Sequence, residues 1–463
     1  MTVKPAPHRR NKAAKASNTK PARAPAPPGL PARQAAVKLL VAVLHERRSL
    51  DEALADVFAS GAASTLEPRD RALARLIAGT VLRRLGELEA VLKSFLEKPL
   101  PDRQGCLWPI LLSGAAQLLF LETPPHAAVG LAVEQARCDH RARRFDGLVN
   151  ALLRRVAREG ASVLEGLDPP RLNIPGWLFD QWTKTYGENQ ARRIAQASLA
   201  EAPLDISVKA DAQAWAERLG GSVLPTGSIR LAAGGRIEDL PGYADGAWWV
   251  QDAGAALPAR LLGPVAGQSI ADLCAAPGGK TAQLSAAGAR VTAVDASEAR
   301  LSRVRANLGR LLLNGDLVAA DVTTWKPGRT FDAVLLDAPC TSTGTIRRHP
   351  DILRLKRPED ISALAALQTR LLDNAVNLVK PGGTLVYCVC SLEPEEGERQ
   401  ITGLLARNAA FTRRPICAGE SGIAADWLTP DGDLRTLPFH LAQERKELSG
   451  LDGFFAARLV RRG

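Results

Sequence analysis

Two cysteines, Cys388 and Cys390, stand in the run GTLVYCVCSLEPEEGE. Residues two apart on a strand share a face, and a buried strand ordinarily carries Val or Ile there. A third thiol, Cys340, ends the tetrad Asp337-Ala338-Pro339-Cys340. One reaction asks for such a set. C5 of cytosine is electron-poor and does not attack a methyl donor. A thiolate adding at C6 makes C5 enamine-like; C5 then takes the methyl group, loses its proton, and the thiolate departs. A carboxylic acid at N3 assists the addition. Cys340, Cys390 and Asp337 have the types for this work. The chemistry alone does not choose between the two cysteines. Any one of them taken singly fits a small buried hydrophobe equally well.

A methyl donor needs its own seat. The stretch Cys274, Ala275, Ala276, Pro277, Gly278, Gly279, Lys280 offers a tight turn and an open backbone. It is no triphosphate loop, because that pattern wants glycine where Cys274 stands. It is no G-x-G-x-x-G motif either. Asp295, in VDAS, stands where a carboxylate grips two ribose hydroxyls; an N-cap on the next helix is the plain alternative. Asp321, in AADVTTW, is placed to reach an adenine amino group, with the same alternative. A nucleoside cofactor without a pyrophosphate fits, and S-adenosylmethionine is the expected one. Arg347 and Arg348, in TSTGTIRRHPD, suit phosphate at the mouth of a site; a solvated charged loop is the bland reading.

These segments need strands to carry them. From Gly267 onward, near-continuous apolar strands alternate with helices, the pattern of a parallel sheet covered on both faces. Sites in such sheets lie at the carboxyl ends of the strands, where CAAPGGK, VDAS, DAPC and VCS all fall. This catalytic domain is expected over 251–463. Residues 31–160 carry apolar residues at helical spacing and read as an all-α domain. Arg141, Arg143 and Arg144, then Arg154, Arg155 and Arg158, suggest a basic face on it. Residues 161–250 read as a mixed α/β linker and RNA-binding subdomain.

The chain has 463 residues and a formal net charge of +11. Seven Lys or Arg and no acid fall in residues 1–30, a Pro- and Ala-rich basic tail expected to be disordered. The seven cysteines are scattered, without a C-x-x-C pair, which argues against a disulfide framework and a structural zinc site. No metal is expected. No long apolar run suggests a membrane span, so a reduced cytoplasmic protein is expected.

Together, DLCAAPGGK, VDAS, DAPCTSTGTIRRHPD, YCVCS and LDGFFAARLV resemble the Sun/Fmu family of RNA 5-methylcytosine methyltransferases, in order and spacing over about residues 170–463. The helical region resembles the NusB-like RNA-binding domain at the front of the family's bacterial small-subunit rRNA member. The resemblance implies a Rossmann-like class I methyltransferase domain behind an all-α NusB-like one. It implies Cys390 as nucleophile, Cys340 as the residue assisting product release, and Asp337 binding both cytosine and S-adenosylmethionine. It implies the loop Cys274 to Lys280, Asp295 and Asp321 as the cofactor site. The implied partner is RNA, small-subunit rRNA given the front domain, and the enzyme is expected to be a monomer. The same reaction on tRNA or another RNA, and a non-catalytic assembly factor, are the alternatives. The chain departs from the family at Val389, where Thr is usual, at Cys388, a position otherwise small and non-thiol, and at LDISVKA, where a Leu-Arg-Val-Asn-like strand is usual. Cys388 is expected to be a bystander on the packed side of its strand.

Overall fold

The computed structural model describes residues 1–4, 27–59, 61–101, 104–232 and 235–463. Most of the expected basic tail, residues 5–26, lies outside the described residues. Helices α1 (Leu30–Leu44), α2 (Leu50–Ala59), α3 (Pro68–Arg83), α4 (Leu85–Phe95), α5 (Leu107–Leu119), α6 (Pro125–Cys138) and α7 (Asp146–Glu165) enclose one apolar core. Helix α7 shows why. Val149, Leu152, Leu153 and Val156 recur at helical spacing and are buried, while Arg154, Arg155 and Arg158 fall on the opposite, exposed side. That basic side is partly neutralised: Arg155 Nε meets Glu159 Oε2 at 3.0 Å and lies over the Phe95 ring.

Three further helices, α8 (Pro169–Asn173), α9 (Gly176–Tyr186) and α10 (Glu188–Ser198), pack Phe179 and Trp182 against Ile346, Leu353 and Leu392 of the catalytic domain. A small antiparallel sheet follows, ordered β2 (Ser222–Val223), β3 (Ile229–Leu231), β1 (Leu204–Val208), β4 (Trp248–Val250), with α11 (Ala212–Leu219) against it. Asp205, in the atypical strand LDISV, is wholly buried. It holds Arg230 through two hydrogen bonds of 2.7 Å and accepts from Ala253 N. An internal ion pair occupies this position.

The catalytic domain is built on α12 (Ala253–Arg260), β5 (Ser269–Leu273), α13 (Gly279–Ala286), β6 (Arg290–Asp295), α14 (Glu298–Arg310), β7 (Asp316–Ala319), β8 (Phe331–Asp337), α15 (Ile352–Leu355), α16 (Pro358–Leu378), β9 (Val379–Val389), α17 (Glu398–Arg407), β10 (Phe411–Arg413), β11 (Leu434–Arg435) and β12 (Phe455–Arg461). Its sheet runs β10-β12-β9-β8-β5-β6-β7, with β11 beside β12. Strands β5 to β9 pair in parallel, and β12 joins β9 antiparallel. The chain leaves β5 towards β6 and β7, then returns to place β8 on the other flank of β5. This reversal opens a crevice at the carboxyl ends of β5 and β8. Cys274 and Asp337 stand at those ends.

Candidate active site

The turn after β5 is glycine-dependent. Gly278 has φ 99°, and a Cβ there would sit 3.0 Å from Val304 Cγ1 of α14. This close approach brings the loop against the end of β6. Asp295 closes that strand, only 2% exposed, with Oδ2 accepting from Ala276 N at 3.2 Å and Oδ1 from Ser297 N at 3.1 Å. An ionised carboxylate has about four lone-pair sites, so two amide donors orient Asp295 and leave capacity for two hydroxyls. The true N-cap of α14 is Ser297, which accepts from Arg300 N. Beneath the loop, Asp272 is wholly buried, with Oδ2 taken by Thr281 and Oδ1 without a partner among the described residues. Burial pushes its carboxyl up to about 7. A ligand with a ribose diol and positive charge matches these acids, as S-adenosylmethionine does.

Across the crevice stand the thiols. Cys340 Sγ and Cys390 Sγ lie 3.4 Å apart, and Ser342 Oγ is 3.5 Å from Cys390 Sγ. The pair divides its protons unequally. The hydrogen bond from Cys340 draws Cys390 down, with help from Ser342 and Lys280 against the burial. Cys340 moves up for the complementary reason, its bond to the Cys390 thiolate, and through burial. A thiol drawn down in this way carries more thiolate, the form that attacks carbon. Asp337 Oδ2 accepts from Lys280 Nζ at 2.7 Å, and Oδ1 faces Cys388 Sγ at 3.4 Å. Burial works against the Lys280 charge, but the Asp337 carboxylate outweighs it and holds the ammonium firmly protonated.

Behind the cysteines lies a carboxylate that sequence reasoning missed. Glu396, fully buried, accepts from Thr341 N at 3.0 Å, Gln368 Nε2 at 3.1 Å, Ser391 Oγ at 2.5 Å and the Thr341 hydroxyl. Thr341 follows Cys340 and Ser391 follows Cys390, so one side chain ties both thiol-bearing turns. Glu393, also buried, accepts from Trp182 Nε1 and Thr343 Oγ1, each at 3.2 Å. The signal was the acidic run SLEPEEGE directly after an apolar strand: some of its carboxylates had to turn inward.

Two expectations need correction. Arg347 and Arg348 do not form a basic mouth. Arg347 is 2% exposed and donates to Ser449 O, and Arg348 is bonded to Asp252 at 2.5 Å and to Asp452 at 3.1 Å. These buried acids, distant in sequence, claim the Arg348 guanidinium before RNA can, and burial removes Arg347. The loop itself docks the helical domain: Asp351 Oδ2 accepts from Leu50 N at the start of α2, and Arg83 donates to Arg347 O. Asp321 stands exposed just beyond β7, its Oδ1 accepting from Thr323 N and Oγ1. Cys388 and Cys390 do not share one packed face. Strand β9 ends at Val389, so Cys388 packs in the cluster of Leu257 and Val386, while Cys390 bends away to that of Leu336 and Cys340. The buried Cys388 thiol also meets Asp337 Oδ1 at 3.4 Å.

Residues 259–460 match the family described as 16S rRNA methyltransferase RsmB/F, and residues 30–158 match the NusB family. The chain is 40% identical to "Ribosomal RNA small subunit methyltransferase B" of Vibrio cholerae, over 81% of this chain and 89% of that protein. It belongs to the RsmB/F methyltransferase family. The protein of the same name from Xanthomonas campestris is 37% identical over 84% of this chain and 91% of its own length. The crystal structure of PH0851 shares the fold, with a TM-score of 0.71 at 21% identity, covering 93% of this chain and 98% of that one. A methyltransferase homolog protein from Pyrococcus horikoshii, 30% identical, superimposes with a TM-score of 0.52 over 64% of this chain and all of that one. The chain is thus an S-adenosylmethionine-dependent RNA methyltransferase with a helical NusB domain in front. Among the described residues, no helix is long and apolar enough to cross a membrane.

Proposed function

We propose that this enzyme methylates C5 of a cytidine in small-subunit rRNA through a covalent bond from Cys390 to C6. The observation that carries the reading is the 3.4 Å approach of Cys390 and Cys340 beside Asp337, at the mouth of the β5–β8 crevice. The rRNA substrate is taken from the relatives' names and from the NusB domain. The cofactor supplies an electrophilic methyl group, seated by the loop Cys274 to Lys280 with Asp295. Cys390 thiolate attacks C6 while Asp337, as the carboxylic acid, gives its proton to N3, so the electrons of the C5–C6 bond become available at C5; the proton returns to Asp337 when the thiolate leaves. After methylation water takes the C5 proton, the C–H electrons re-form the C5–C6 double bond and the Cys390–C6 bond breaks with its electrons returning to sulfur. Cys340, the adjacent protonated thiol, serves this last stage by donating a hydrogen bond to the departing Cys390 thiolate. The helical domain, 31–160, contributes RNA affinity, and residues 161–250 form a second RNA-facing part. The enzyme acts in the cytoplasm as a monomer without an obligate protein partner.

A denaturing gel with unmodified small-subunit rRNA tests the roles. Cys340→Ser is expected to add to cytosine, transfer methyl and stall as a denaturant-resistant adduct. Cys390→Ser is expected to give neither adduct nor product. An adduct in Cys390→Ser but not in Cys340→Ser would reverse the assignment.

A further inference from the structure

We propose that Cys388 is a positioning residue: its thiol donates to Asp337 Oδ1 and sets the plane of the carboxylate that meets the base. The inference rests on the role given to Asp337 above. Asp337 and Cys388 are register partners on β8 and β9, and Ala338 N donates to Cys388 O at 2.9 Å, which joins the two strand ends. Across this rung Cys388 Sγ stands 3.4 Å from Oδ1, while Lys280 Nζ takes Oδ2 at 2.7 Å. A carboxylate held at one oxygen still turns, because the torsion about its last bond is broad. Held at both, it is confined to one plane. That matters for a group that must address a ring nitrogen, since hydrogen bonds weaken steeply off axis.

The thiol is equipped for the task. Cys388 is wholly buried, so it does not itself reach RNA. Burial, and then the Asp337 charge, push it well above its ordinary value against the pull of Lys280. It therefore keeps its proton and remains a donor. Asp272 of β5 is the other acid that faces it. Packing alone does not call for sulfur here: β-branched valine suits a central strand better.

Cys388→Val and Cys388→Ser separate packing from hydrogen bonding. The readout is single-turnover transfer of labelled methyl to an unmodified small-subunit rRNA transcript, with cofactor affinity and melting temperature measured alongside. The serine variant, which keeps a donor, is expected to stay within about twofold of the parent rate. The valine variant is expected to lose about tenfold in rate, as for one misaligned contact, with cofactor affinity unchanged. If valine does not fold, Cys388→Ala carries the same expectation. A folded valine or alanine variant at the parent rate, or equal losses in serine and valine, would overturn the inference and leave the covalent reading intact. A parent enzyme that transfers no methyl to the transcript would overturn both.

Discussion

Replacing Glu396 by alanine tests whether the two thiol-bearing turns are held from behind. The side chain takes four donors, from Thr341 N and Oγ1, Ser391 Oγ and Gln368 Nε2. Hydrogen bonds to a charged group are worth about 1.5–3 kcal/mol each, and an orphaned buried donor costs about 1–3 kcal/mol. The full sum is not expected. The Thr341 and Ser391 hydroxyls lie 3.1 Å apart and can turn to each other, and Gln368 Nε2 keeps Pro339 O at 2.9 Å. Thr341 N is the donor left stranded. A net destabilisation of about 1–3 kcal/mol follows, the cost of that one orphaned buried donor. The kinetic effect is larger in proportion. Displacing a reacting group by about 1 Å costs about a hundredfold in rate, and Cys390 and Cys340 both sit one residue from the lost tether. Cofactor affinity is expected to stay, because no residue from Cys274 to Lys280 bonds Glu396. Urea unfolding, calorimetry with S-adenosylmethionine and rapid-quench methyl transfer read the three quantities. Glu396→Gln keeps one acceptor oxygen and should fall between parent and alanine. An alanine variant with parental stability and rate, or one that loses cofactor affinity while keeping the chemical step, would refute the reasoning.

Asp295→Ala should weaken S-adenosylmethionine by about 1–3 kcal/mol, the worth of a charged hydrogen bond; unchanged affinity by calorimetry in a folded variant would remove Asp295 from the cofactor site. Arg348→Ala should destabilise the fold by about 3–5 kcal/mol, since it strands Asp252 and Asp452. It should also leave the salt dependence of RNA binding unchanged, and a shallower salt slope would mean that Arg348 touches phosphate after all. Burial raises Glu393 from 4.5 to about 7, against the donors Trp182 and Thr343. A carboxyl raised in the folded state stabilises below its unfolded value and loses that contribution as pH rises through the folded one. Stability should therefore decline between pH 4.5 and about 7. Glu393→Gln should flatten that decline in urea midpoints, and an identical slope in the variant would count against a buried, protonated Glu393.

Much of the chemistry was legible in the chain itself. CAAPGGK, VDAS and DAPC each end an apolar strand, and strands between helices leave few topologies, all with a site at their carboxyl ends. Residue type and place therefore pointed to Cys390, Cys340, Asp337 and the glycine turn. What sequence could not contain is who meets whom across the fold. The spacing of Arg347 and Arg348 looks the same whether Arg348 faces phosphate or Asp252 and Asp452, which lie far away along the chain. Strand periodicity gave Cys388 and Cys390 one face, but periodicity holds only while the strand lasts, and β9 stops between them. Glu396 was invisible for a related reason. A buried carboxylate is tolerable only with enough donors, and its donors come from the β8 turn, the β9 end and helix α16, which only the closed sheet brings to one point.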